Sequence, residues 1–300
     1  MATEKQITWQ GLLNLFVVYI VWGSTYLAIR VAVREGSGFP PFAMGLMRVL
    51  IAGVILLGWA RLAKSRLRLT RQEFITLFTS GLLLWAGGNG MVNWSEQRAD
   101  SGLAALIIAA TPIWVAIVEA IIDRRLPTWR LVGSLMIGFS GIAVLSWPVL
   151  SQGVQADLFA ILGLLFAGFS WGMGTILQSR RPVGVKPSIS SGYQQLFGSL
   201  GFILLFFASG ESLPNPNPEA WWAVIYLIVV GSLFAFTAYV RAVQMLPTSI
   251  VMTYPYVNPV IAVFLGWLIL DEAITSWTIA GATLVLLGVA GVFNERKRHN

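Results

Sequence analysis

Apolar residues along this chain come in long blocks separated by short polar stretches. A helix needs roughly 17–25 apolar residues to cross a bilayer, and ten blocks reach that length. They predict helices near 11–30, 40–61, 73–93, 102–122, 129–147, 157–178, 188–208, 220–240, 247–269 and 277–293. The connections are short and leave no room for a soluble domain. The first block carries Asn14 and Tyr19 and has no small-residue cleavage site, so it is expected to remain as a span and not to act as a cleaved signal peptide.

The pattern also repeats. Residues 121–133 read IIDRRLPTWRLVG and residues 269–281 read ILDEAITSWTIAG. Asp123, Trp129 and Gly133 recur as Asp271, Trp277 and Gly281, while Arg124 and Arg125 become Glu272 and Ala273. Upstream, TPIWVAIVEA at 111–120 corresponds to NPVIAVFLGW at 258–267, pairing Pro112 with Pro259. Trp22-Gly23 likewise corresponds to Trp171-Gly172. A repeat of five spans enters the membrane from the opposite side the second time, which reverses the charge its loops prefer. The expected fold is an all-α membrane protein of two inverted five-helix repeats, 1–150 and 151–300, forming one transport domain around a central cavity. Inverted repeats of this kind are characteristic of secondary transporters.

Charge sets an orientation. With both termini cytoplasmic, 16 of the 20 Lys and Arg lie on cytoplasmic segments. Arg30, Arg34 and Arg98 lie outside, and Arg48 lies within a span. This is the positive-inside pattern, and it accounts for the net charge of +7 without a nucleic-acid partner. Only 11% of residues are charged, against about a quarter in soluble domains. There is no cysteine, and His299 is the single histidine. Thiol chemistry, Ser-His chemistry and most transition-metal sites are thereby excluded. No enzyme activity, cofactor or metal is expected.

Candidate site residues come from polar and aromatic positions inside the spans. Trp85, Asn89 and Asn93 fall at i, i+4 and i+8, and Tyr254 and Asn258 at i and i+4. Such pairs share a helix face, and amides are costly against lipid. Tyr19, Trp22, Thr111, Trp171, Thr175 and Tyr239 complete the predicted substrate-binding set. Pro112, Pro255 and Pro259 fall in corresponding spans and predict kinks, which lipid tolerates only where protein or a cavity satisfies the freed backbone. Arg48 has three readings: binding a substrate carboxylate, pairing with an acid, or snorkelling, with a structural role favoured. Glu119 is expected to pair with Arg124 or Arg125, or to snorkel, more than to carry a proton. Trp129, Trp221, Trp222 and Trp277 sit at span ends as interfacial anchors. The small residues in GSLMIGFSG (133–141) and GATLVLLGVAG (281–291) mark the fifth and tenth spans as scaffold or dimer surfaces. A homodimer is one arrangement they leave open.

WGSTYLAIR at 22–30, SGLAALIIAATP at 101–112 and DEAITSWTIAGATLVLLGV at 271–289 resemble motifs of the EamA family of the drug/metabolite transporter superfamily. The resemblance covers nearly the whole chain. It implies five plus five helices around a cavity lined by the first, third, fourth, sixth, eighth and ninth. The chain departs from the family at Arg124, where an acid is common. It also lacks the embedded first-helix glutamate of the related small multidrug exporters, with Asn14 the nearest polar candidate. The expected activity is alternating-access export of small neutral or zwitterionic metabolites, amino acids first, across a bacterial inner membrane. A multidrug or nucleobase exporter of the same superfamily, or a channel, are the alternatives.

Overall fold

The computed structural model describes residues 5–34, 36–98, 101–151, 158–270 and 274–299. The loop with Asp271, Glu272 and Ala273 lies outside them. The described residues form helices and connecting turns, with no strand among them. Ten helices are long and apolar enough to span: Trp9–Val33, Pro41–Leu62, Arg71–Ser95, Leu103–Asp123, Trp129–Pro148, Leu158–Arg180, Pro187–Ser209, Pro218–Met245, Thr248–Leu265 and Ser276–Glu295. They are called the first to tenth spans below.

Local chemistry sets where the spans start. Thr70 and Glu73 form a reciprocal capping box at the third span. Pro41, Pro187 and Pro218 occupy first-turn positions, where a missing N–H costs nothing. The second span has an unusual cap: the carboxylate of Glu211, from the loop after the seventh span, accepts from the N–H groups of Phe42 (3.0 Å) and Ala43 (2.9 Å). Burial pushes the Glu211 carboxyl up, and these two amides partly offset it.

Two sets of ties define the two ends of the bundle. At the end rich in Lys and Arg, the basic end, Arg66 pairs with Glu73 at 2.5 Å, and Glu73 also accepts from Gly184 N–H at 2.9 Å. Tyr193 donates to the Leu67 carbonyl at 2.8 Å, and Thr128 to Glu295 at 2.6 Å. At the opposite end the loops after the first and seventh spans run together. Asn215 N–H donates to the Gly38 carbonyl (2.9 Å) and Asn217 N–H to the Ser37 carbonyl (3.0 Å).

The fifth and tenth spans pack on each other. Gly141 meets Gly281 and Val285, and Gly288 meets Gly138 and Ser134, backbone against backbone. The small-residue faces, expected to be scaffold or dimer surfaces, meet each other within one chain at these positions. Val132, Met136, Leu286 and Leu287 cover the outside of the pair and are exposed, as lipid-facing residues would be. Tyr256 of the ninth span joins the pair to the bundle, its hydroxyl donating to the Leu135 carbonyl at 3.0 Å.

The prolines differ from expectation. The fourth span is broken, not kinked: one helix ends at Ile108, and a second begins at Thr111 with Pro112 in its first turn. The ninth span breaks after Val251, and Pro255 opens the second part in the same way. Of these three prolines only Pro259 lies inside its helix. A first-turn proline removes no helical hydrogen bond, so Pro112 and Pro255 start helices where a mid-helix kink was predicted. The third and eighth spans also contain π-helical stretches, Leu82–Gly90 and Leu227–Ala235. They are nine residues each and occupy the same place in the two repeats.

Candidate functional site

A cavity lies among the broken and π-containing spans. The first span contributes Trp22, Thr25 and Ile29, and the second Arg48. The third contributes Trp85, Gly88, Asn89 and Val92, and the fourth Ile108 and Thr111. Ala167, Gly168 and Trp171 come from the sixth, and Tyr254 and Asn258 from the ninth. Most of these lie in the halves of their spans nearer the opposite end. Trp171 and Tyr254 sit near mid-depth, toward the basic end.

Trp22 is the hub of the walls. Its ring lies 5.5 Å from Trp171 and 5.0 Å from Tyr254, both edge-on, a favoured geometry for aromatic pairs. Its Nε1 donates to the Gly231 carbonyl at 3.3 Å, which fixes the ring against the π stretch of the eighth span. Thr111 is held by its own helix break, with Oγ1 donating to the Ile108 carbonyl at 2.6 Å.

Of the predicted substrate-binding set, the structure brings Trp22, Trp85, Asn89, Thr111, Trp171, Tyr254 and Asn258 to the cavity. Four residues lie off it. Asn93 is fully buried, and its Nδ2 points back to Asn89 Oδ1 at 3.5 Å. Val92, and not Asn93, reaches the cavity from this helix. Tyr239 is fully buried behind Trp22 and Trp171, with ring centroids at 5.0 and 5.6 Å. Its hydroxyl pairs with Thr175 Oγ1, which holds Thr175 off the cavity too. Tyr19 pairs with Thr253 nearer the basic end. The eighth span, which the resemblance placed in the lining, therefore backs the wall. The second span enters through Arg48.

Sequence reasoning missed Thr25, Ile29, Gly88, Val92, Ile108, Ala167 and Gly168. Thr25 and Ile29 follow Trp22 by three and seven positions, and Gly88 and Val92 follow Trp85 likewise. The i+3 and i+7 signal was present but fell on small or aliphatic residues that carry no chemistry of their own.

Arg48 is the one charged residue among the described lining. It is 3% exposed, so it does not snorkel. Its Nε donates to Ser232 Oγ at 2.8 Å, and its guanidinium lies over the Trp85 ring, 5.3 Å from the centroid. Glu119 lies outside the cavity and pairs with Arg180 at 3.8 Å, not with Arg124 or Arg125. Arg180 also holds Asp123 through two bonds of 2.7 and 2.6 Å. Asn14 bonds its own helix at the Gln10 carbonyl and is half-buried.

Hydrogen bonds tie several spans together at the basic end, beneath the cavity. Lys5 donates to the carbonyls of Ser179 (3.1 Å) and Val243 (2.6 Å) and to Ser179 Oγ (2.9 Å), joining the sixth and eighth spans. Burial pushes the Lys5 ammonium down to about 8, and nearby Glu119 partly offsets this. Gln194 donates to Ser80 (2.8 Å) and Gln178 (3.1 Å), joining the third, sixth and seventh spans. An aromatic pocket with one end tied shut can hold a solute that enters from the other end. Among the described residues no cluster of three or more His, Asp or Glu side chains could hold a metal.

Comparison with known proteins gives a consistent picture. The chain matches the EamA-like transporter family over residues 9–147 and 158–294. It is 33% identical to the uncharacterized inner membrane transporter YedA of Escherichia coli K12, over 84% of this chain and 80% of that one. It is 23% identical to the uncharacterized transporter YoaV of Bacillus subtilis 168, over 95% and 98%. A crystal structure of a protein 17% identical superposes with a TM-score of 0.79, covering 97% of this chain and 98% of that one. At that identity the likeness is one of fold alone.

Proposed function

This chain belongs to the EamA-like transporter family, and from that premise we propose that it carries small zwitterionic or neutral metabolites with an apolar part, amino acids first, out of the cell by alternating access. One observation carries the reading. The cavity walls are aromatic, amide and aliphatic, with no acid among the described lining residues. Aromatic walls give an apolar side chain a flat, low-entropy surface, while a few polar groups orient its head. A cation exporter would place a carboxylate there, and a sugar-phosphate carrier several cations.

The test is flux into proteoliposomes of leucine, phenylalanine, a quaternary amine and a sugar phosphate. Saturable phenylalanine and leucine flux with counterflow is expected; unsaturated flux would mean a channel. Losing one aromatic contact costs about 0.5–1.5 kcal/mol beyond area, or roughly two- to tenfold in affinity. Trp171→Ala should lower phenylalanine flux relative to leucine by that factor. Trp129→Ala, at an exposed span end, should leave the ratio unchanged. A shift with Trp129→Ala and none with Trp171→Ala would refute the cavity as the substrate site.

A further inference from the structure

We propose that Arg48 is the anion anchor of the cavity, so that the solutes taken are carboxylates with an apolar body, and α-amino acids are recognised first through their carboxylate. The inference rests on the cavity being the transport site, and it gives Arg48 a binding role where the sequence favoured a structural one.

Four buried polar atoms on side chains that line the cavity have no hydrogen-bond partner: Nη1 of Arg48, Nε1 of Trp85, Nε1 of Trp171 and Oδ1 of Asn258. Three of the four are donors, and two of these, on Arg48 and Trp85, belong to side chains in contact, with the guanidinium over the indole. An arginine keeps its charge and presents five donors in a fixed fork. Ser232 occupies one edge of that fork through Nε. Among the described residues no carboxylate lies within ion-pair distance of Arg48. A buried cation with no counter-charge is costly, and membrane proteins keep such groups where they meet a partner. The partner that answers a guanidinium and an indole N–H together is an acceptor with negative charge. A single arginine suits a monoanion; a phosphate would call for more cations.

The remaining atom has the opposite polarity. Asn258 Oδ1 is an unpaired acceptor on the ninth span. It suits an ammonium or other N–H group. Three donors and one acceptor around an aromatic pocket complement a zwitterion with an apolar side chain.

The test uses purified protein in proteoliposomes and four probes sharing one ring: phenylalanine, phenylpropanoate, phenylalaninamide and phenethylamine. Wild-type protein is expected to take the two carboxylates and to discriminate against the amide and the amine. A charge-assisted hydrogen bond supports a preference of roughly tenfold to a hundredfold. Arg48→Met should erase that preference, and Arg48→Lys should keep part of it. The wild-type comparison needs no variant, so it decides even if Arg48→Met fails to fold. Equal flux of phenylalanine and its amide through wild-type protein, or an unchanged ratio in folded Arg48→Met, would overturn the anchor while leaving the transport reading standing. Saturable flux of none of the four would remove both.

Discussion

Gly38 has φ of +82°, and a Cβ built on it would lie 2.0 Å from the Asn215 carbonyl oxygen. Only glycine lets the two loops at the opposite end exchange their backbone bonds. Gly36 has a similar φ of +78° with nothing within 4 Å. Both alanine variants incur the left-handed cost of about 1–2 kcal/mol, but only Gly38→Ala adds a clash with backbone. Gly38→Ala should therefore lower the thermal midpoint in detergent clearly more than Gly36→Ala. Equal midpoints would show that the loop pairing does not contribute to stability. Single-residue chemistry was only partly legible beforehand. The aromatic and amide positions stood out because such groups are expensive against lipid, and six of them meet at the cavity, with Thr111 beside them. Asn93 stood out equally and is buried elsewhere. Composition shows that an amide needs a partner, but not whether that partner is the cavity or its own helix.

Helix elements were legible through hydropathy, because each span must be apolar over a length fixed by the bilayer. Their internal breaks were not. An α turn, a π turn and a two-residue interruption can share one composition. The distinction lies in which carbonyl each N–H reaches, and that depends on the neighbouring spans. Pro112 and Pro259 match in sequence, yet the structure starts a helix at Thr111 in the first repeat and at Tyr254, about one turn earlier relative to the match, in the second. The two repeats thus differ in where their broken spans restart, beside the cavity. The glycine pattern of the fifth and tenth spans marked a close packing surface without showing what would fill it. A Cβ on Gly288 would lie 2.5 Å from Gly138 N, whereas one on Gly133 meets nothing within 4 Å. Gly288→Ala should force the two spans apart and cost about 1–3 kcal/mol. Gly133→Ala should be neutral or stabilise by about 0.5–1 kcal/mol, through the lost backbone freedom of the unfolded chain. Thermal unfolding of both variants checks this. A Gly288→Ala protein as stable as wild type would mean that this contact opens without cost.

For the whole molecule, the two ends differ in charge and in closure, and the differences coincide. The end closed by Lys5, Arg180 and the glutamine network is also the end bearing Arg61, Arg66, Arg68, Arg124, Arg125 and Arg181. Basic loops are retained in the cytoplasm during insertion, and each cation moved across costs about 2.3 kcal/mol per 100 mV of membrane potential. The expected orientation therefore puts the basic end inside, and on that expectation the cavity, which lies mostly toward the opposite end, sits nearer the outer face. The cysteine-free chain makes the test direct. Leu126 lies in a basic-end loop and is 93% exposed, and Leu213 lies in an opposite-end loop and is 82% exposed. A membrane-impermeant maleimide applied to intact cells should label Leu213→Cys, and should reach Leu126→Cys only after the membrane is opened. Labelling of Leu126→Cys from outside would reverse the assignment: the cavity would then face the cytoplasm, and the Lys5 and Arg180 ties would form the outer gate. Labelling of both from outside would leave the two loops on one face, which a chain of alternating spans with this connectivity cannot adopt without losing the inverted relation of its halves.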